Sequence, residues 1–114
     1  MAIKISFSSF FDSRVKKFVK KFPSLEDELR EFLESLKENP FVGKSLGAGL
    51  YKIRLASSSK GKGKSGGFRI INYIVTENKD KEDIDITVLT IYDKSEDSTM
   101  KKNILVKMVK LSNS

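Results

Sequence analysis

The sequence contains no cysteine and no histidine. That excludes disulfides, thiolate nucleophiles, zinc sites and the imidazole that most often serves as general acid or base. No apolar run approaches the roughly 18 residues needed to cross a bilayer. The first residues also lack the charged-then-apolar pattern of a signal peptide, so the reading is a cytoplasmic protein with no membrane partner. There is no internal repeat, and neither a metal nor an organic cofactor is expected. The most informative absence is local. No Asp or Glu occurs between positions 39 and 76, where Lys44, Lys52, Arg54, Lys60, Lys62, Lys64 and Arg69 contribute seven positive charges. Elsewhere fifteen basic and fifteen acidic residues cancel, so the whole net charge of +7 resides in the central third. Segregation of this kind points to a site for an anionic partner.

The 114 residues, 39% of them hydrophobic, suit one folded domain spanning 1–114. "AIKISFS" alternates apolar and polar residues and predicts a strand. Phe11, Val15, Phe18, Val19 and Phe22 follow a helical stride that Pro23 stops. Ser24 and Asp27 resemble a capping box for a second amphipathic helix carrying Leu25, Leu29, Phe32, Leu33 and Leu36 to about Glu38. These helices predict a hairpin with one shared apolar side. A turn-rich connection, "NPFVGKSLGAG", leads to three strand-like runs, "LYKIRLAS", "FRIINYIVT" and "DIDITVLTIYD". Met100, Ile104, Leu105, Met108 and Val109 then mark the inner side of a terminal helix, with lysines outside. The expected fold is α+β: a small antiparallel β-sheet with an N-terminal helical hairpin and a C-terminal helix. The helices would cover one face and leave the other partly open.

Gly63-Lys64-Ser65 ends "KGKGKS" as a nucleotide-binding P-loop ends. Such a loop needs a glycine five residues earlier, where Ser58 stands, and a helix after it, where Gly66-Gly67 and a β-rich run stand instead. The nucleotide reading fails on both counts. Lys60, Lys62 and Lys64 on glycine hinges read instead as a mobile basic finger following an RNA backbone by charge. In "LYKIRL" the alternation sets Lys52 and Arg54 on one face, roughly 6.6 Å apart along the strand, a spacing that suits neighbouring phosphate oxygens. The next strand opens with Arg69, and a hairpin would return it toward Lys52 and Arg54. Tyr92 and Lys94 lie at the end of the last strand, in "IYDKSE".

"YKIRLASSSKGKGKSGGFRIINYIV" followed by "VLTIYDKSE" resembles the RelE/ParE toxin superfamily. The glycine-lysine insertion before the arginine-bearing strand is similar to that of its HigB branch. The resemblance implies a toxin of a type II toxin-antitoxin system, acting as a ribosome-dependent endonuclease that cuts messenger RNA in the A site. It implies that Lys52, Arg54 and Arg69 hold and activate the scissile phosphate and that Lys94 adds a further basic group. The chemistry it implies needs no metal, because the neighbouring 2′-hydroxyl attacks its own phosphate. It also implies a cognate antitoxin, HigA-like with a helix-turn-helix domain, and contact with promoter DNA only through that complex.

The residues themselves are compatible with this chemistry, since RNA carries its own nucleophile and fixed cations can stabilise the phosphorane-like transition state. Lys52, crowded by Arg54 and Arg69, is the candidate base. Relatives carry a tyrosine or histidine near the terminal helix, whereas "SEDSTMKK" has neither, so Tyr92 is the nearest candidate for proton transfer. A strand-end aromatic packed against that helix explains Tyr92 equally well. Two other functions use the same residues: a ParE-like toxin that inhibits gyrase by protein contact, and a non-catalytic RNA-binding module.

Overall fold

In the computed structural model the described residues are 2–60, 67–76 and 83–112. Five strands among them form one sheet: β1 (Ala2–Phe7), β2 (Lys44–Gly47), β3 (Leu50–Leu55), β4 (Phe68–Thr76) and β5 (Asp83–Asp93), in the order β1-β5-β4-β3-β2. Helices α1 (Ser9–Lys21) and α2 (Leu25–Glu38) form the hairpin, and α3 (Lys102–Ser112) closes the described chain. The α+β class and the helical hairpin and terminal helix expected from the sequence are present. None of these helices is long and apolar enough to cross a membrane.

Three features differ from the expectation. The run of β2, β3, β4 and β5 is antiparallel, but β1 joins β5 in parallel, Ala2 opposite Asp83 and Phe7 opposite Val88. The connection after α2 contains a strand, β2, whose residues 44–47 pair with β3. Helices also cover both faces. Ile53, Phe68, Ile70, Ile74 and Ile86 pack beneath Phe11, Leu25, Leu29, Phe32 and Leu36 of the hairpin. On the other face Leu50, Ile71, Leu89 and Tyr92 pack beneath Leu105 of α3. Within α3, Val106 joins Met108 and Val109 against this second core, whereas Ile104 is exposed.

A bulge in β5 makes this two-faced packing possible. Ile71 pairs with Thr90 but Asn72 pairs with Val88, so Leu89 is the extra residue. The added residue reverses the parity of the strand. Ile84, Ile86 and Val88 therefore face the same hairpin core as Ile91, three positions beyond Val88.

Local chemistry fixes the element ends. Ser8 caps α1 by accepting from the Phe11 amide at 3.3 Å, and its own hydroxyl donates to the Leu89 carbonyl, tying the helix start to β5. Ser24 makes no capping bond to α2. Its hydroxyl instead accepts from the Ser59 amide at 3.0 Å, while the Ser58 amide donates to Glu28 at 2.8 Å. The segment leaving β3 is thus docked on the start of α2, and a short 3-10 turn, Ser58–Lys60, ends it. Gly67, with φ +87°, swings the chain into β4, and a Cβ there would collide with the Leu55 carbonyl.

Gly67→Ala combines a left-handed backbone with that collision and should destabilise the fold by on the order of 1–3 kcal/mol. Urea unfolding should report a lower midpoint at unchanged slope. An unchanged midpoint would mean that the turn is not held in this conformation.

Candidate anion site

The register of the sheet brings the predicted cations together. Arg54 of β3 lies directly opposite Arg69 of β4, and Arg69 lies opposite Tyr92 of β5. One step along β3, Lys52 lies opposite Lys44 of β2. Directly opposed residues share a face, so Lys44, Lys52, Arg54 and Arg69 form a basic patch on the α3 side of the sheet. Lys44 belongs to the acid-free stretch but is not singled out by its sequence context. Its place beside Lys52 depends on β2, which the turn-rich composition conceals.

Like charges directly opposed across a sheet repel, so the patch needs an internal counter-charge. Asp97 supplies it. The chain leaves β5 through a 3-10 turn, Lys94–Glu96, and returns Asp97 over the patch. One carboxylate oxygen of Asp97 accepts from the Tyr92 hydroxyl at 2.8 Å and lies 3.5 Å from the Lys52 Nζ. The other lies 3.4 Å from the Arg69 Nε. Burial works against the charged form of Asp97 and is the largest influence on it. The Tyr92 hydroxyl and the two cations together outweigh burial and hold the carboxyl below the usual carboxylate range. Tyr92 responds in the opposite direction. Burial first, then the hydrogen bond and charge of Asp97, push its hydroxyl far above the usual tyrosine range, so it keeps its proton.

The same short turn is held at two further points. Asp93 caps it by accepting from the Ser95 amide at 2.9 Å, and Glu96 closes the capping box on the Asp93 amide at 3.1 Å. Asp93 also pairs with Lys60, whose Nζ lies 4.8 Å above the Phe68 ring and 5.4 Å above that of Phe22. Glu96 accepts from Arg14 of α1 at 3.0 Å through both oxygens. Three acidic residues of "DKSED" thus reach four separate elements: the turn after β3, α1, β3 and β4. Partly exposed pairs of this kind contribute about 0–1 kcal/mol each.

The predicted residues therefore separate into groups. Lys52, Arg54 and Arg69 are together, with Arg54 exposed and free of any carboxylate among the described residues. Arg69 is innermost, its side chain 6% exposed. Tyr92 is fully buried in the core under α3, the structural role that its position at a strand end also suggested. Lys94 opens the turn that carries Asp97 and is partly exposed. Lys60 is fixed by Asp93 and two phenyl rings, so it does not act as a mobile finger. Lys62 and Lys64 lie outside the described residues. Asp97 was missed because it is distant in sequence from the acid-free stretch. The capping pattern Asp93 to Glu96 was the available signal that the chain turns back there.

The depressed Asp97 fixes a sign for the pH dependence. Its contribution to stability is complete above the unfolded carboxylate value, about pH 4, and is lost as pH falls through its lower folded value. Asp93 is also held low, against its own desolvation, by the Lys60 and Ser95 bonds and adds to the same slope. Asp97→Asn should cost about 1–3 kcal/mol at neutral pH by leaving Arg69 buried without its partner. The variant should also lose less stability than wild type on acidification below about pH 4. Parallel acid slopes in urea titrations of the two proteins would refute the assignment.

Comparison with known proteins bears on the fold. The sequence matches no protein-family model. Among solved structures, a mutant of the E. coli toxin RelE in the free state is similar to this chain, with a TM-score of 0.54 and 21% sequence identity. The match covers 96% of this chain and 97% of that one. The chain has the α+β fold of that toxin, with the basic patch borne on its sheet.

Proposed function

We propose that the protein is the toxin of a type II toxin-antitoxin pair and acts as a ribosome-dependent endonuclease on messenger RNA. The observation that carries this reading is the convergence of Lys52, Arg54 and Arg69, joined by Lys44, on one face of a sheet of RelE fold. Four cations opposed by one carboxylate leave a positive field suited to a phosphodiester backbone. No residue of the patch is a nucleophile, and RNA provides one in its own 2′-hydroxyl.

In this mechanism the 2′-oxygen attacks the adjacent phosphorus and loses its proton to a base. The bond to the departing 5′-oxygen breaks, and that oxygen takes up a proton. The products are a 2′,3′-cyclic phosphate and a free 5′-hydroxyl. Arg54, exposed, receives the phosphate. Arg69 stabilises the added charge in the transition state, and Lys52 orients the 2′-hydroxyl or, as the neutral amine, accepts its proton. Lys94, at the edge of the turn, contacts the neighbouring backbone. Tyr92 donates its hydroxyl hydrogen bond to Asp97, so it offers none to the leaving oxygen while that bond is intact. Lys62 and Lys64 guide the protein onto RNA by charge. The antitoxin is proposed to be HigA-like, with promoter DNA bound only through the complex, and the site of action is the cytoplasm.

One observation favours a ParE-like gyrase inhibitor instead: Asp97 already pairs with both Lys52 and Arg69, as in a patch built for structure or for protein contact. Primer extension on messenger RNA after induction separates the two. Codon-phased breaks support the nuclease, while intact transcripts with DNA damage support the gyrase inhibitor. Arg54→Ala, at an exposed position opposite Arg69, should not lower the unfolding midpoint and should lower cleavage by about 10²-fold or more. Full cleavage by this variant would remove Arg54 from the site. Replacing Lys62 and Lys64 by Gln should weaken ribosome association and reduce the slope of log K against log salt by about 1–2.

A further inference from the structure

Arg69 is the cation best placed to stabilise charge, yet it is the least accessible member of the patch. Its side chain is 6% exposed, whereas that of Asp97, which faces it, is 34% exposed. The carboxylate is therefore the solvent-facing member of the pair. A phosphodiester approaching Arg69 from outside meets Asp97 first. Carboxylate and phosphodiester offer the same feature to a guanidinium, a pair of oxygens, so each can take the place of the other.

We propose that Asp97 is an internal substitute for the substrate phosphate, and that RNA engages the site by displacing this carboxylate together with the turn that carries it. The proposal rests on the nuclease reading for the identity of the ligand and adds to it a closed state of the same site. The turn is suited to moving as a unit. It is compact, with the Asp97 amide bonded to the Lys94 carbonyl at 3.0 Å and the Thr99 amide to the Glu96 carbonyl at 2.9 Å. Its attachments to the rest of the molecule are mainly polar side-chain contacts: Asp93 with Lys60, Glu96 with Arg14, and Asp97 with Lys52, Arg69 and the Tyr92 hydroxyl. The backbone bond from the Lys94 amide to the Gly67 carbonyl is long, 3.4 Å. A polyanion can compete for ion pairs in a way that it cannot compete for a buried apolar contact. Arg54 and Lys44, which carry no carboxylate among the described residues, are positioned to hold incoming RNA before Arg69 is uncovered.

Displacement has a measurable cost in affinity. If the closed state holds about nine-tenths of the free protein, the apparent dissociation constant is raised about tenfold over that of the open site. The probe is a short RNA in which the scissile nucleotide is 2′-deoxy, so that it binds without being cut, with binding to the isolated protein followed by fluorescence anisotropy. Asp97→Asn should bind this probe about tenfold more tightly than wild type. Equal or weaker binding by a folded variant overturns the proposal. If Asp97→Asn does not fold, the wild-type protein decides by NMR: saturating probe should accelerate solvent exchange of the Tyr92 hydroxyl and shift the Arg69 Nε–H resonance. Both signals unchanged at saturation overturn it. Tighter binding by the variant, with no cleavage of messenger RNA by wild type on ribosomes, would reject the nuclease reading and leave the displaceable carboxylate standing.

Discussion

The structure around the site depends on the repulsion between Arg54 and Arg69, which the β3-β4 register places directly opposite one another. Two guanidinium groups at cross-strand positions are unfavourable unless a counter-charge or water relieves them. The chain relieves one through Asp97 and leaves the other at the surface. This asymmetry gives the patch its character, with an inner cation already paired and an outer one available to a ligand. The residues after β5 fold back before α3 begins, and this places Asp97 beside Arg69.

The turn that carries Asp97 is oriented by side-chain ion pairs from several directions. Lys60 comes from the segment after β3, Arg14 from α1, and Lys52 with Arg69 from the sheet. Each pair is weak by itself because it is partly solvated, but together they set the direction of a short segment with little apolar surface of its own. The second core beneath α3 supplies the rigid floor. Tyr92 belongs to both, with its ring packed near Leu105 and its hydroxyl on Asp97. The packing of the terminal helix is thereby linked to the electrostatics of the patch through one side chain.

Much of this was legible in the sequence, for identifiable reasons. The stride of Leu25, Leu29, Phe32 and Leu36 specifies α2, and the alternation in "LYKIRL" correctly places Lys52 and Arg54 on one face. The parallel partner of β1 was not legible, because alternation identifies a strand without naming its neighbour. Nor was β2, a four-residue strand next to glycines that read as turn. Ser24 has the composition of a cap but spends its hydroxyl on Ser59, a tertiary contact that no local pattern encodes. The absence of acids from 39–76 was a true property of the chain and not of the space around those residues. Asp97 and Asp93 enter that space from the far end of β5, and only the fold reveals that Lys52, Arg69 and Lys60 have acidic partners.

The parallel pairing of β1 with β5 bears on the order of events during synthesis. Residues 2–7 have no strand partner until residues 83–88 have been made, so β1, which precedes every other described strand, pairs only after β5 exists. The β3-β4 hairpin, by contrast, can assemble as soon as it is translated. A nascent chain therefore displays Arg69 before the carboxylate that pairs with it exists, and its sheet is complete only once β5 has been made.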